Sequence, residues 1–315
     1  MKIKTVFFGS GYFAVKILQG ILQMPLLDVV AVVTQPDKPA GRKQQLTACP
    51  VMQELIDTGS NIPVFKPVKL RKEAEQILAD TQPEFILVAD YGQIIPASII
   101  DYPKYKCLNV HGSLLPDLRG AVPAQMAILK GYTQTGVSIP VMTPGLDDGA
   151  VVASKQEDIK PEDTAYTLRM RLADVGIDLL NEVLPLWFDG KIEAVEQDHD
   201  KATSTWQSDI AKEKAQITKD TDAILAERMI RAFNPWPIAW VEVEVQGKTK
   251  RVKIYEAKLD SRNDVQGMVG SLIKQNKKIY LVLKDGVLEM GKVQMEGKAI
   301  MNGSEALFLA GFKIL

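Results

Sequence analysis

The sequence is poor in the residues on which disulfide, redox and metal chemistry usually depend. Its only cysteines are Cys49 and Cys107, and they fit neither a disulfide framework nor a CxxC pair. Its only histidines are His111 and His199. A histidine-rich metal site is therefore excluded, and any acid–base chemistry by histidine must use one of these two side chains.

Long apolar runs are absent as well. No stretch approaches the roughly 20 residues that span a bilayer. The first strand-like residues run directly into Gly9, without the longer apolar region and cleavage pattern of an export signal. We therefore expect a cytoplasmic protein with no membrane partner.

The sequence also lacks a net charge that would favour nucleic-acid binding. Its 38 Lys+Arg and 39 Asp+Glu residues give a formal net charge of −1, and phosphate affinity comes from basic surface. The charge is unevenly placed, however, because residues 209–315 carry a net +4 and the remainder −5. A modest basic excess in the C-terminal part is thus hidden by the total.

The 315 residues suggest two domains. In the first half, short apolar runs alternate with segments of helical spacing, which is typical of a parallel sheet covered on both faces. The predicted strands are 4–8, 28–34, 85–89 and 106–110, and the predicted helices are 13–22, 71–79 and 164–188.

After Gly190 the pattern changes. A polar stretch with little periodicity predicts an extended linker at 191–208, between a catalytic domain at 1–190 and a small antiparallel barrel at 209–315. The barrel prediction rests on a helix at 222–233, on runs at 240–245, 252–258, 278–283 and 287–295, and on Gly-containing turns.

A glycine-rich turn follows the first predicted strand, at Gly9–Ala14. Its GxGxxA pattern between strand and helix is that of a dinucleotide-binding loop. The acidic residue expected at the end of the second strand is missing, since that strand ends in Thr34-Gln35. We favour a tight strand–helix turn without a dinucleotide, and the two interpretations remain open.

The loop at residues 34–45 contains prolines, a glycine and three basic residues. This composition favours an exposed loop. It is either a solvated surface segment or a basic finger that reaches for phosphate, with Arg42 and Lys43 at its tip.

The strongest chemical signal lies at 107–116. Asn109 and His111 are two residues apart at the end of a predicted strand, so they point to the same face. Ligands bind at the carboxyl ends of strands in open α/β sheets. An amide there can stabilise a developing oxyanion, and an imidazole can move a proton. The alternative is a structural histidine, which the crowding of polar residues disfavours.

A second polar loop contains Asp147 and Asp148. Asp-Asp-Gly is ordinary turn chemistry, but one carboxylate can also orient His111. Cys107 is predicted to be a core residue. The residues from Arg231 to Pro237 are predicted to stiffen a turn at the domain boundary.

Taken together, these motifs resemble the methionyl-tRNA formyltransferase family along nearly the whole chain. The matching segments are Gly9–Ala14, Thr34–Arg42, Ala89–Pro96, Asn109–Pro116, Arg119–Ala121 with Pro123, Gly136-Val137, Gly145–Asp147, Arg231–Pro237, and Gly297-Lys298 with Met301. The resemblance implies a Rossmann-like N-terminal formyltransferase domain and an OB-like C-terminal β-barrel that binds tRNA. It implies formyl transfer from 10-formyltetrahydrofolate to the α-amine of methionine on initiator methionyl-tRNA, by a monomer and without a metal.

The resemblance also implies roles for individual residues. Asn109 and His111 would stabilise the formyl oxygen, and Asp147 would fix His111 and help to accept the proton that leaves the amine. Residues Tyr91, Gly92, Gln93, Ile94, Ile95, Ser113, Leu114, Leu115 and Pro116 would hold the folate. Arg42 and Lys43 would contact the acceptor stem of the tRNA.

Several positions depart from the family pattern. Gln44 and Gln45 replace expected basic residues, Gly11 replaces a frequent proline, and Asp148 a frequent threonine. Other functions stay open: a formyltransferase acting on a nucleotide-sugar amine, a folate-binding regulator or formyl-folate hydrolase, and a dinucleotide-binding module.

Overall fold

A computed structural model describes residues 2–40, 44–260 and 265–314. The chain divides into two compact units. The first contains Met1–Gly120, Gln134–Asp158 and Arg169–Ser204, and the second contains Ala121–Thr133, Ile159–Leu168 and Thr205–Leu315.

The centre of the first unit is a sheet in which all strand pairs of the described residues are parallel. Its strands lie in the order Val64–Phe65, Leu27–Val33, Ile3–Gly9, Phe85–Ala89 and Cys107–Asn109. The first strand along the chain is therefore in the middle and later strands are added on both sides. This is the strand order of a doubly wound, Rossmann-like sheet, and it confirms the predicted fold class.

The middle strand is buried on both faces. Phe7 and Phe8 are adjacent, so they point to opposite sides of the sheet, and neither is exposed to solvent. On the Phe8 side the core continues through Val33, Val88 and Cys107. Cys107 is thus a core residue as predicted, and burial raises the pKa of its thiol.

Four of the described helices begin and end close to the predicted positions, and three shorter ones, at Pro50–Asp57, Ala97–Ile100 and Pro123–Lys130, were not predicted. The described helices are Tyr12–Leu22, Pro50–Asp57, Leu70–Thr81, Ala97–Ile100, Pro123–Lys130, Ala165–Phe188 and Ala223–Ala232. The longest starts after Thr164, whose hydroxyl accepts a hydrogen bond from the backbone N–H of Thr167 at 3.2 Å. Thr164 therefore caps the start of this helix, where the sequence analysis placed it. No helix among the described residues is both long and apolar enough to cross a membrane.

An antiparallel hairpin, whose strand bounds the sequence analysis did not give, lies beside the edge of the parallel sheet. Its strands, Gln134–Pro140 and Val151–Asp158, are joined by a loop that contains Asp147. Isolated bridges connect the hairpin to the residues around the last parallel strand, from Leu108 to Val141 and from His111 to Ser138. The hairpin therefore brings the Asp147 loop toward the carboxyl end of that strand.

The second unit contains a six-stranded antiparallel sheet with the curvature of a half-barrel, as predicted. Its strands are Ala239–Val245, Lys248–Leu259, Leu272–Gln275, Lys278–Leu283, Gly286–Met295 and the short Met301–Asn302. Gln246 and Gly247 join the first two with φ angles of 53° and 73°, as a two-residue hairpin turn requires. Register shifts near Glu256 bend the second strand.

The segment predicted as a polar linker at 191–208 is more structured than its composition suggested. Val195 pairs with Val151 in an antiparallel bridge, and Gln197 is buried. Short 3-10 turns follow at His199–Lys201 and Gln207–Ile210. Up to Ser204 the segment belongs to the first compact unit.

Candidate active site

Asn109, His111 and Asp147 meet at the carboxyl end of the last parallel strand. Asn109 ends that strand and donates its side-chain N–H to Asp147 Oδ1 at 3.1 Å. His111 Nδ1 lies 3.6 Å from Asp147 Oδ2. The three residues that sequence analysis selected for chemistry are thus one cluster, although Asp147 lies 38 residues after Asn109.

The contacts of His111 determine which of its nitrogens can take part in chemistry. His111 is only 5% exposed, and its Nε2 lies 3.0 Å from the carbonyl oxygen of Leu118. A carbonyl only accepts hydrogen bonds, so Nε2 carries the proton. Nδ1 is therefore the nitrogen that faces Asp147 and can exchange a proton.

Asp147 is held by backbone as well as by side chains. Its Oδ2 accepts a hydrogen bond from the N–H of Gly120 at 2.8 Å. Its own φ is 46°, in the left-handed region that few residues other than glycine adopt. Its carbonyl oxygen accepts a hydrogen bond from the side chain of Gln197 at 2.9 Å. The carboxylate is therefore fixed in direction before any substrate binds.

Asp148 has a different environment from its neighbour. Its carboxylate accepts a hydrogen bond from the hydroxyl of Thr143, within the same loop. Of the two neighbouring carboxylates, Asp147 is the one that contacts His111, as the sequence analysis expected.

The described residues, 2–40, 44–260 and 265–314, contain no group of three or more His, Cys, Asp or Glu residues that could hold a metal ion.

The loop Tyr91–Ile95 contains side chains in contrasting environments. Gln93 is used within the protein: its Oε1 accepts the N–H of Leu70 at 3.1 Å, and its Nε2 donates to the carbonyl of Pro67 at 2.8 Å. Ile95 is in the core, whereas Ile94 is 88% exposed. Of the residues predicted to hold folate in this loop, Ile94 is therefore the accessible apolar one.

Tyr91 stands out in the same loop. Its hydroxyl is buried and has no hydrogen-bond partner among the described residues. Burial, and then the charge of Glu73, raise its pKa. Its ring packs edge-to-face against Phe8 with centroids 5.4 Å apart. Gly92 follows directly, and a Cβ there would lie 1.8 Å from Gln35 Nε2, so a larger residue would require the end of the Gln35 side chain to move.

The segment Ser113–Pro116 is held by internal hydrogen bonds. The hydroxyl of Ser138 donates to the carbonyl of Ser113 at 2.8 Å and accepts the N–H of Leu115 at 3.0 Å. Leu114, Leu115 and Pro116 are half-buried, so part of each is accessible. Ser138 is fully buried and was not selected by the sequence analysis.

The glycine-rich turn lies close to the Asp90 side chain at one position. A Cβ on Gly11 would lie 1.9 Å from Asp90 Oδ2, and that carboxylate pairs with Arg169 at 2.8 Å. A larger residue at this position would therefore require the partly exposed Asp90 carboxylate to move. Arg42 and Lys43, the predicted acceptor-stem residues, lie outside the described residues.

Comparisons with known proteins find relatives of both parts of this chain. A family model described as formyl transferase matches residues 1–184, and one described as formyl transferase, C-terminal domain, matches residues 209–312. A protein named methionyl-tRNA formyltransferase from Bacillus cytotoxicus is 36% identical over 315 residues, 99% of this chain and 96% of that protein.

Solved structures with the same fold are more distant in sequence. HypX from Aquifex aeolicus, in complex with tetrahydrofolic acid, has a TM-score of 0.69 at 15% identity. The match covers 99% of this chain and about half (48%) of the HypX chain. An N-formyltransferase from Helicobacter canadensis, in complex with folinic acid and dTDP-3-aminofucose, has a TM-score of 0.66 at 19% identity, covering 91% of this chain and 98% of that one.

Proposed function

The chain belongs to the formyl transferase family, and from this premise we propose that it transfers a formyl group from 10-formyltetrahydrofolate to the α-amine of methionine on initiator methionyl-tRNA. The observation that carries the proposal is the convergence of Asn109, His111 and Asp147 at one strand end. The choice of acceptor is supported by the relative from Bacillus cytotoxicus, which aligns with both parts of this chain.

The reaction needs stabilisation of negative charge on the formyl oxygen. The neutral amine attacks the formyl carbon, a C–N bond forms, and the carbonyl electron pair moves to oxygen. Asn109 uses one side-chain N–H on Asp147, and its second N–H is the donor we assign to this oxygen. In the imidazolium form of His111, Nε2–H stays on Leu118 and Nδ1–H becomes a second donor.

The reaction then needs a proton to move from the amine to the leaving nitrogen. Asp147 accepts the proton from the attacking amine, and the bond between the formyl carbon and N10 of the folate breaks. N10 takes up the proton, so that tetrahydrofolate and the formylated amine are released without net proton change. The carboxylate of Asp147 is suited to this step because its direction is fixed by Gly120 and Asn109.

Folate and tRNA contacts form the remaining part of the proposal. We assign the folate to the segments Tyr91–Ile95 and Ser113–Pro116, where Ile94 is exposed and the Tyr91 hydroxyl lacks a protein partner among the described residues. We assign the acceptor stem to Arg42 and Lys43. The antiparallel unit, whose sequence carries the basic excess, is assigned to the rest of the tRNA.

A formyl-transfer assay with three acceptors tests this function. The wild-type protein is given 10-formyltetrahydrofolate with initiator methionyl-tRNA, with a dTDP-linked amino sugar, or with water alone. We expect formylation of the tRNA, and loss of about 10²–10³-fold in kcat for Asn109→Ala and for His111→Ala. Formylation of the sugar alone, or hydrolysis alone, contradicts the proposal and favours one of the other functions considered above.

A change at Gly120 tests the backbone contact to Asp147. Gly120 has φ of 96°, so Gly120→Ala should cost about 1–3 kcal/mol of folding free energy and lower kcat by moving the N–H that binds Asp147. Gly59→Ala is the matched control, because Gly59 has φ of 62° and open space around it. Urea unfolding and kcat should separate them: both variants lose stability, and only Gly120→Ala loses activity.

A further inference from the structure

We propose that Gln197 is a positioning residue that holds the Asp147 loop in its reactive conformation, an inference that rests on the proposed function. Gln197 lies in the segment that looked like a linker in the sequence, 50 residues after Asp147. It would act on the reaction only through Asp147.

Both side-chain N–H groups of Gln197 go to the Asp147 loop. Nε2 donates to the carbonyl of Asp147 at 2.9 Å and to the carbonyl of Gly149 at 2.7 Å. Gln197 is 8% exposed, so these bonds are made where an unsatisfied carbonyl is costly. One amide group therefore binds the backbone both before and after Asp148.

The other end of the amide is fixed by Arg119. The Oε1 atom of Gln197 accepts hydrogen bonds from Arg119 Nε at 3.1 Å and from a terminal guanidinium nitrogen of Arg119 at 2.7 Å. A guanidinium only donates, so the oxygen of Gln197 must face it and the NH2 must face the loop. The same terminal nitrogen lies 3.1 Å from His199 Nδ1. Arg119 thus sets the orientation in which Gln197 can hold both carbonyls.

The Asp147 loop requires such support because its backbone is strained. With φ of 46° at a residue that has a Cβ, the conformation persists only where its surroundings hold it. Gln197 binds the backbone of Asp147, and Gly120, the residue after Arg119, binds its carboxylate. The two contacts fix the direction in which the carboxylate faces His111.

Two variants separate the donor role of Gln197 from its role in packing. Gln197→Leu removes the donors and the acceptor. Gln197→Glu keeps an acceptor for Arg119 and places an oxygen against the two loop carbonyls. We expect each to lower kcat about 10- to 100-fold, since a small misplacement of a reacting group has effects of this size, while KM for both substrates changes less than about twofold. Gln76→Leu and Gln76→Glu, on the exposed side of a helix, are the controls and should leave both constants unchanged.

A spectroscopic readout makes the test independent of turnover. Because the chain has only two histidines, the ring nitrogens of His111 can be followed by NMR and assigned with a His199→Gln variant. We expect the His111 Nδ1 resonance to shift in both Gln197 variants and to stay unchanged in the Gln76 controls. If Gln197→Leu does not fold, as judged by thermal melting, Gln197→Glu decides, since it retains the partner of Arg119.

The outcomes separate this inference from the proposed function. Wild-type kcat with an unshifted His111 resonance in folded Gln197→Glu overturns the positioning role, and so does a rise in KM alone. A wild-type protein that does not formylate methionyl-tRNA overturns the proposed function instead, and the His111 resonance then still tests the effect of Gln197 on the site.

Discussion

Asp147→Ala lowers kcat for formyl transfer by about 10²–10⁴-fold, the range that removal of a positioned proton acceptor produces. The carboxylate contacts Asn109 and the N–H of Gly120, and faces His111 Nδ1, so its loss removes the base and releases both oxyanion donors. KM for the folate and the tRNA should change little, because the loss falls on the transition state. Single-turnover formylation measures the chemical step directly.

The double variant shows whether Asp147 and His111 act as one unit. If Asp147 works through His111, adding His111→Ala to Asp147→Ala costs far less than the product of the two single losses. Asp148→Ala is the matched control, since that carboxylate contacts Thr143 in its own loop, and its kcat should stay within about threefold of wild type. Independent, multiplicative losses would contradict the arrangement.

Phe8→Ala is expected to destabilise the first unit by about 3–5 kcal/mol. Phe8 is fully buried in the middle strand, and truncation leaves a cavity in the core cluster that it forms with Val33 and Val88 of the two neighbouring strands. A typical domain has only about 5–15 kcal/mol of stability, so the loss is a large fraction of the total. Urea unfolding at fixed pH measures it.

The same change should also weaken folate binding. Tyr91 packs edge-to-face on Phe8, so the loop Tyr91–Ile95 loses its support. We expect KM for the folate to rise severalfold in the fraction that remains folded. Tyr102→Ala is the control: Tyr102 is 47% exposed, and its loss should cost less than about 0.5 kcal/mol. Equal effects of the two variants would show that Phe8 has no special place in the core.

Much of this architecture could be predicted because its signals are local. The continuous apolar strands and the alternation that puts Asn109 and His111 on one face depend on neighbouring residues. The bounds of the hairpin Gln134–Pro140 and Val151–Asp158 were missed because its second strand, from Ala153 onward, alternates between half-buried and exposed residues and so shows no apolar run.

The contacts that could not be predicted are those made by single side chains to distant backbone. Gln197 binds the carbonyls of Asp147 and Gly149. Every residue has a backbone carbonyl, so the sequence does not indicate which ones a side chain will bind. The segment around Gln197 was therefore interpreted by its polar composition alone. The ion pair between Asp90 and Arg169, which lies beside Gly11, likewise could not be predicted without the fold.

The clamp on the Asp147 loop has a consequence for how the protein is made. Arg119 and Gln197 are 78 residues apart, so a growing chain that already contains Asn109, His111 and Asp147 still lacks the group that holds them in register. At about 5–20 residues per second, the ribosome adds Gln197 several seconds after Arg119. Nascent chains that end between Asp147 and Gln197 contain every reacting group and still lack the clamp on the Asp147 loop, so the loop gains this support late in synthesis.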